Sequence, residues 1–431
     1  MGKIKLDVGT NFDPTLLDFI EKTDTRGQIV SMFGKLKTDI VGGGRASVAL
    51  NEVSLDEVAR YNARCRSMGI DFNYLLNTLT LQNRDIIPED HRRLVEFIGT
   101  LSDMGIRWLT VCSPYLLQLV KRQFPHIKVT IGIYAFVGSL SKAKSWVEMG
   151  ADELTLTENC TRNFDLLEAV LQTYRDRNVK IRIIANNGCL HDCPYALNHA
   201  GAVSASSQMG SRSQKNYFDF SLVNCYTRKV THPANMIASD WIRPEDQHYY
   251  ESLCERTGND RLVLKLVERT KSTAFLCRVV KAYIEEKYEG NLLDIMNWIG
   301  SDNADSQKQF DVAGYVQSLR AGKIDMDTLI RYSAFFALPD IYIDNQKLDG
   351  FLEHFIHDYQ CDRKSCWLES DLAGKPTKCD CTYCREWAKK AVSIDNTKQK
   401  AYQKWIENAR ILKDKFNTSE IFNPVKTEEH G

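Results

Sequence analysis

Two cysteines stand four residues apart in the stretch NNGCLHDCPYALNH, which directly follows an apolar run typical of a buried strand. Cys189 and Cys193 can reach one metal centre from this single loop, and Cys225 could fold back as a third ligand. The alternative is a pair of buried loop cysteines that bind nothing. Two further cysteines follow other predicted strands and are candidates for a fourth ligand: Cys112 and Cys160.

A second and denser group of cysteines lies near the C-terminus, with the spacing C-x4-C-x12-C-x-C-x2-C. Thiolates this close together bind soft metals, so we expect a second 4Fe-4S cluster or zinc. A zinc site would be all-thiolate, because no histidine lies among the five. The alternative is a small zinc-stapled subdomain that only holds the C-terminus together. The five residues are Cys361, Cys366, Cys379, Cys381 and Cys384.

The last predicted strand ends in the charged stretch LKLVERTKS. Strand alternation gives Lys265 and Arg269 one face, and a basic pair at this point suits a substrate with a carboxylate or phosphate. An ion-pair network that closes the sheet is the alternative. The glycine run VGGGRAS, residues 41–47, could bring backbone N–H groups and Arg45 to an anion, although a plain flexible turn has the same composition. We predict that Lys265, Arg269 and Arg45 are catalytic.

Other polar side chains near these motifs are candidates for proton transfer or substrate binding. His191, inside the cysteine loop, could donate a proton, although a hydrogen-bonded loop histidine is the commoner case. No Ser-His-Asp or H-E-x-x-H arrangement is visible in the sequence. We predict four substrate-binding residues: Asn77, Asn187, Arg243 and Glu268.

These motifs lie in a chain that alternates eight times between strand-like and helix-like segments. Eight such units in roughly 290 residues match a closed (β/α)8 barrel. A doubly wound open sheet is the alternative, but no G-x-G-x-x-G follows the first strand. We predict an α/β fold with a (β/α)8 TIM-type barrel over residues 1–300, an active-site insertion at 187–259, and a helical, cysteine-rich extension over 301–431. The cysteine loop, the glycine run and the basic pair then all fall at the C-terminal ends of strands, where such barrels hold their active sites.

Composition narrows the class of protein further. Acidic and basic residues balance at 56 each, which disfavours nucleic acid or an anionic membrane as a partner. The sequence shows no long apolar run and no signal-peptide core at its start. For these reasons we expect a cytoplasmic protein, and in that reducing compartment the thirteen cysteines are better explained by metal binding than by disulfides. A protein partner or a homodimer stays open.

The motifs together resemble the collagenase-like peptidases of unknown catalytic type (family U, number thirty-two). The matching stretches are NNGCLHDCPYALNH, the cysteine at 225, SDWIRPEDQHYYESL, LKLVERTKS and VGGGR, which together span most of residues 4–290. The resemblance implies a TIM-type barrel with a 4Fe-4S cluster near its mouth, and Cys189, Cys193 and Cys225 map onto the cluster motif. It also implies that several members are not proteases: they hydroxylate an aromatic compound or a nucleobase without dioxygen, with prephenate as oxygen donor.

We therefore expect an iron–sulfur redox enzyme that modifies a peptide or a small molecule at the barrel mouth, with oxygen-independent hydroxylation as one form of that chemistry. Lys265, Arg269 and Arg45 would hold an anionic donor. One alternative is a peptidase, which only the family name indicates. The other is a non-catalytic iron–sulfur partner or scaffold protein.

Overall fold

The computed structural model describes residues 2–214, 218–299, 324–357, 359–361 and 381–422. Its centre is a closed barrel of eight parallel strands, each paired with its neighbours in chain order, with the last strand paired to the first. The predicted (β/α)8 barrel is confirmed, and the open sheet is excluded. The strands are β1 (Lys5–Gly9), β2 (Ile29–Gly34), β3 (Asp71–Leu76), β4 (Trp108–Val111), β5 (Lys128–Ile131), β6 (Glu153–Thr155), β7 (Lys180–Ile184) and β8 (Leu262–Leu266).

Six helices follow the first six strands and bury one face against the barrel. Five of the six begin with a side-chain cap: at the second helix the Ser54 side chain accepts from the Glu57 amide while the Glu57 carboxylate accepts from the Ser54 amide. The six are α1 (Pro14–Thr23), α2 (Leu55–Ser67), α3 (Pro88–Asp103), α4 (Pro114–Gln123), α5 (Leu140–Glu148) and α6 (Phe164–Thr173).

Between β7 and β8 the chain runs much further than a simple crossover requires. The first helix of this insertion lies against the loops that follow β2 and β3, because Ser206 and Ser207 bond to the glycine run and Ser204 bonds to the Leu79 amide. The insertion contains α7 (Ala196–Ser206), α8 (Phe220–Thr231), α9 (Ala234–Ile237) and α10 (Gln247–Thr257), and α11 (Thr273–Glu285) follows β8.

The C-terminal extension packs on this insertion. Its longest helix lies against α8, where the Tyr402 hydroxyl donates to the Val230 carbonyl. The Trp405 ring of the same helix stacks at 5.1 Å on Phe335, which ends another helix of the extension. Its elements are α12 (Met326–Phe335), β9 (Ile341–Ile343), α13 (Glu353–His357), α14 (Tyr383–Ala391), β10 (Val392–Ile394) and α15 (Gln399–Thr418), with β9 and β10 antiparallel. None of the helices in the described ranges is long and apolar enough to cross a membrane.

The interior of the barrel holds one connected network of polar side chains. At its centre Arg182 donates to Asp7 at 2.7 Å and pairs with Glu153 at 2.6 Å, while Lys265 Nζ lies 2.8 Å from the Asp7 carboxylate. Two residues further along four of the strands, an apolar layer of Phe33, Leu75, Ile184 and Val267 separates this network from the barrel mouth. Every strand contributes one member of the network: Asp7, Ser31, Asn73, Thr110, Thr130, Glu153, Arg182 and Lys265.

Candidate functional site

The glycine run lies in the loop that follows β2, and its backbone amides form hydrogen bonds within the protein. The amides of residues 41–45 donate, in order, to Asp39 Oδ1 twice, Ser207 Oγ, Asn77 Oδ1 and the Gly43 carbonyl. Two of these amides therefore bind an anionic side chain, the Asp39 carboxylate, and all five are occupied within the protein rather than offered to a ligand. Glycine is needed for another reason: a Cβ on Gly43 would lie 2.6 Å from Asn77 Oδ1. Asn77, predicted to bind substrate, holds this loop in place.

Arg45 extends from the glycine run into the mouth and pairs with Glu268. Arg45 Nε lies 2.8 Å from Glu268 Oε1, and Nη1 donates to the Gly44 carbonyl at 2.7 Å. Burial alone would raise the pKa of Glu268, but the Arg45 charge and its hydrogen bond lower that pKa to about 2. The structure therefore brings two predicted site residues together as an ion pair, which leaves Arg45 partly exposed to the mouth.

Two mouth residues were not predicted from the sequence, and each directly follows a strand. Tyr134 follows β5 and Glu158 follows β6, and both interact electrostatically with Arg45. Burial, the largest effect, raises the pKa of Glu158 above its ordinary value. A carboxyl group with a raised pKa, at the C-terminal end of a barrel strand, is well placed for proton transfer. Position after a strand was the one signal that could have identified them.

Three of the predicted metal ligands come together at the mouth. Cys189, Cys193 and Cys225 are half-buried free thiols that interact electrostatically with one another, and Cys189 also interacts with Arg45. Burial raises the pKa of Cys189 to about 12 and that of Cys193 to about 11. Lys229 on α8 opposes both shifts. The loop and the insertion thus bring these cysteines to one place.

The two candidates for a fourth ligand, Cys112 and Cys160, are buried and have packing contacts of their own. Cys160 Sγ lies 3.9 Å from the Val137 carbonyl, and Cys112 packs where a Cβ on Gly132 would stand 2.9 Å from its sulfur. Among the residues that the structure describes, no three Cys, His, Asp or Glu side chains are placed to hold a single metal ion. A cubane binds each thiolate to a different iron, so it suits three thiols that are near one another without converging on one point.

His191, in the middle of the cysteine loop, is oriented by a carboxylate. Its Nδ1 lies 3.0 Å from both oxygens of Asp240. Burial lowers the pKa of His191, but the Asp240 charge outweighs it and raises the pKa overall. His191 Nε2 is buried and has no hydrogen-bond partner within the described residues. The next residue, Asp192, has a φ of 44°, so the loop holds a left-handed conformation to reach Cys193.

The structure separates the two members of the predicted basic pair. Lys265 points into the interior network, where it pairs with Asp7, so the predicted position at the mouth is wrong for this residue and the alternative, an ion-pair network, is correct. Arg269 lies at the mouth, with its Cβ 3.5 Å from the position that a Cβ on Gly9 would occupy. Burial, followed by repulsion from Arg45, lowers the pKa of Arg269 to about 10.

The two remaining predicted substrate-binding residues have different surroundings. Asn187 Oδ1 accepts from the Cys189 amide at 3.2 Å, and its Nδ2 is buried without a partner in the described structure. Arg243 does not reach the cleft. Its guanidinium binds Asp246 at 2.6 and 2.9 Å and the Asn345 carbonyl at 2.9 Å. Arg243 therefore joins the barrel to the extension.

The C-terminal cysteines that the structure describes border a small, partly open cavity of about 20 Å3. His354 also lines this cavity and stacks on Tyr383 at 4.3 Å. Sequence spacing missed this histidine, because it precedes the cysteine run and reaches the site through the fold. The cavity cysteines are Cys361, Cys381 and Cys384. Two predicted ligands lie outside the described residues: Cys366 and Cys379.

No family model matches the chain. Over 356 residues, 83% of this chain and 87% of the relative, it is 23% identical to "Uncharacterized protease MJ1657" of Methanocaldococcus jannaschii. Among solved structures it is similar to the U32 peptidase Mk0906, with 16% identity and a TM-score of 0.43 over 62% of this chain and 95% of that one. An alpha-amylase from Lactobacillus plantarum gives 10% identity and a TM-score of 0.30 over 67% and 82%. The similarity to the first relative supports the resemblance found in the motifs.

Proposed function

We propose that the chain is an enzyme that acts on a peptide at the C-terminal mouth of the barrel. The observation that carries this proposal is the convergence of Arg45, Tyr134, Glu158 and Cys189 at the mouth. Loops at this end of a TIM-type barrel hold the active site in characterised enzymes of that fold. The name of the relative, an uncharacterised protease, supports a peptide as the substrate.

Glu158 supplies the proton transfer that peptide hydrolysis requires. As a carboxylate it accepts a proton from water while the water oxygen bonds to the peptide carbonyl carbon. It then donates that proton to the amide nitrogen as the C–N bond breaks, so the products are a carboxylic acid and an amine. Arg45 provides positive charge for the oxygen that becomes negative in between. No metal or nucleophilic side chain takes part in this scheme.

The test is hydrolysis of a mixed peptide library by the purified protein, followed by mass spectrometry, with and without chelator. We expect Glu158→Gln to lower kcat by about 10²- to 10⁴-fold, with KM changed much less. Glu89→Gln, on the surface of α3, is the matched control and should keep full activity. Full activity in Glu158→Gln would rule out this role, and a protein with no activity on any peptide would contradict the hydrolase proposal.

A second candidate is the iron–sulfur redox enzyme expected from the motifs, and the three thiols at the mouth favour it. Cys189, Cys193 and Cys225 would hold a 4Fe-4S cluster, which supplies electron transfer or binding of a small donor when present. Arg45 and Glu158 would then bind and protonate a peptide or small-molecule substrate beside it. Free thiols at these positions agree with the proposed cytoplasmic location. A non-catalytic iron–sulfur partner would use the same ligands.

Anaerobic purification with iron, sulfide and zinc quantitation tests this candidate. In the double variant Cys189→Ala/Cys193→Ala, a loss of about four irons would support a cluster in the loop. The C-terminal cysteines are expected to keep a second cluster or zinc in that variant. A wild-type protein without iron would eliminate the redox candidate and leave the hydrolase.

A further inference from the structure

We propose that Arg269 is the binding residue for a free carboxylate, and that the substrate therefore presents such a group, as a peptide does at its C-terminus. This inference rests on the proposed function, because it assumes that the active site lies at the barrel mouth. It adds a substrate class: the enzyme would act near the ends of chains rather than at internal bonds. A small carboxylic acid carries the same chemistry, and the experiment below separates the two.

The first argument is that the guanidinium of Arg269 is buried without a direct ion-pair partner among the described residues. The residue is only 5% exposed. Its Nη2 is fully buried with no hydrogen-bond partner, and no ion pair to this side chain is present in the described part of the chain. A buried charge is normally paired, since leaving it unpaired in a low-dielectric interior is strongly unfavourable. An anion that binds at the mouth would remove this cost.

The second argument is that the nearby charges are already neutralised by one another. Lys35 Nζ lies 2.9 Å from Asp39, whose other hydrogen bonds hold the glycine run. Arg45 is paired with Glu268 at 2.8 Å. Both basic residues raise the positive potential at Arg269, while Asp39 and Glu268 attract it without forming a hydrogen bond or ion pair to it. The unbalanced positive charge at this side of the mouth therefore belongs to Arg269.

The third argument is the shape of the place where the guanidinium lies. Gly9 has no side chain, and a Cβ there would meet the Phe33 ring at 3.1 Å and Arg269 Cβ at 3.5 Å. The apolar layer that includes Phe33 and Val267 forms the floor below. A carboxylate would bind the planar guanidinium through two hydrogen bonds above an apolar surface, where water competes poorly. Arg45 interacts electrostatically with both Arg269 and Glu158, so the carboxylate site and the proposed proton-transfer group share one side of the mouth.

Thermal unfolding gives a test that does not depend on activity. We expect succinate, and a tripeptide with a free C-terminus, to raise the Tm of the wild-type protein, and the same tripeptide with an amidated C-terminus to have no effect. In Arg269→Met these shifts should disappear, while the ligand-free Tm stays equal to that of the wild type or rises, because the unpaired charge is gone. Arg256→Met, a surface change on α10, should keep the wild-type response.

The outcomes separate the two proposals. A ligand-free Arg269→Met protein that is clearly less stable, together with a wild type that no carboxylate stabilises, would overturn the inference and make Arg269 structural. Stabilisation by inorganic phosphate but not by carboxylates would overturn the substrate class. If the free tripeptide binds through Arg269 but no peptide is hydrolysed, the proposed hydrolysis fails and the carboxylate site stands. If hydrolysis occurs but the ratio of KM for amidated and free peptides is unchanged in Arg269→Met, the inference fails alone.

Discussion

Lys265 and Arg269 are four residues apart, yet their charges have opposite surroundings. Lys265 is held inside the barrel by Asp7 at 2.8 Å, whereas Arg269 lies above the apolar layer with no direct ion-pair partner in the described part of the chain. Strand alternation places Lys265 and Arg269 on one face, but β8 ends at Leu266. Only Lys265 therefore lies deep enough in the barrel to join the interior network. The chemistry of a basic residue here therefore depends on its depth along the barrel axis.

We expect Lys265→Met to lower the stability of the protein and to leave substrate binding unchanged. Loss of its bond to Asp7 should lower the free energy of unfolding by about 2 kcal/mol, because Asp7 keeps Arg182 as a partner. The control is Lys180→Met, whose pair with Glu153 is partly exposed and should be worth less than about 1 kcal/mol. Urea denaturation measures both. An unchanged stability with a raised KM would show that Lys265 binds substrate after all.

The ion pair of Glu268 with Arg45 predicts a specific acid sensitivity. The pKa of Glu268 is about 2 in the folded protein, against an ordinary value of 4.5. Because the folded value is the lower one, the pair stabilises the fold fully above pH 4.5, and this contribution is lost as the pH falls towards 2. The loss should be about 3 kcal/mol. Denaturation at several pH values should show it in the wild type and not in Glu268→Gln; equal pH profiles would contradict it.

At the scale of elements, loops after the strands are held by side chains from elsewhere. The glycine run after β2 packs under Asn77 from β3 and beside Ser207 from the insertion. Its glycines let two neighbouring loops approach at contact distance, and this places Arg45 where it meets Glu268. The insertion thus supplies the cysteines and also fixes the shape of the mouth.

We therefore expect Gly43→Ala to displace the loop at the barrel mouth, although the substitution adds only one methyl group. The new Cβ would lie 2.6 Å from Asn77 Oδ1 and 3.0 Å from Lys35 Cδ, so the loop must move. Activity on a substrate should fall at least tenfold, with a loss of about 1–3 kcal/mol in stability. Gly99→Ala, inside α3 where the nearest atom is 3.9 Å away, is the control and should stabilise by up to about 1 kcal/mol. A neutral Gly43→Ala would mean that the loop is adaptable.

The order of the barrel elements was predictable because strand-like and helix-like segments alternate along the chain, and the structure has all eight strands in that order. The grouping of Cys189, Cys193 and Cys225 was also predictable, since all three lie in one insertion. Glu158 and Tyr134 could not be found this way, because a single carboxyl or phenol after a strand forms no motif. Their role depends on burial, which only the closed barrel produces.

On the scale of the whole molecule, the extension acts on the mouth through the insertion. Helix α8, which carries Cys225, lies between the mouth and α15. Helix α9 is covered in the same way by α14. Arg162, at the start of α6, lies over the rings of Phe351 and Phe355 and so links the barrel wall to the cysteine cavity of the extension. Substitutions in the extension should therefore alter the packing of the insertion and the accessibility of residues at the mouth.

We expect Tyr402→Ala to make Cys225 more accessible, although the substitution lies on another helix. Loss of the hydroxyl bond to Val230 and of the buried ring should loosen α8, and a cost of about 1.4 kcal/mol in local opening corresponds to a tenfold faster reaction with a thiol reagent. Cys65, a fully buried residue of α2, should stay unreactive and serves as the internal control. Tyr342→Ala, an exposed tyrosine on β9, should leave the Cys225 rate unchanged. Equal Cys225 rates in both variants would show that the extension does not support α8.

The polar network inside the barrel has a consequence for how the chain folds. Asp7 comes from the first strand, Glu153 from the sixth, and the arginine that binds both, Arg182, from the seventh. A half-formed barrel that lacked β7 would enclose two carboxylates without their cation, which is strongly unfavourable. Intermediates built from the first strands alone should therefore be unstable, and because β8 pairs with both β7 and β1, the closed barrel should form only once the chain extends past Leu266.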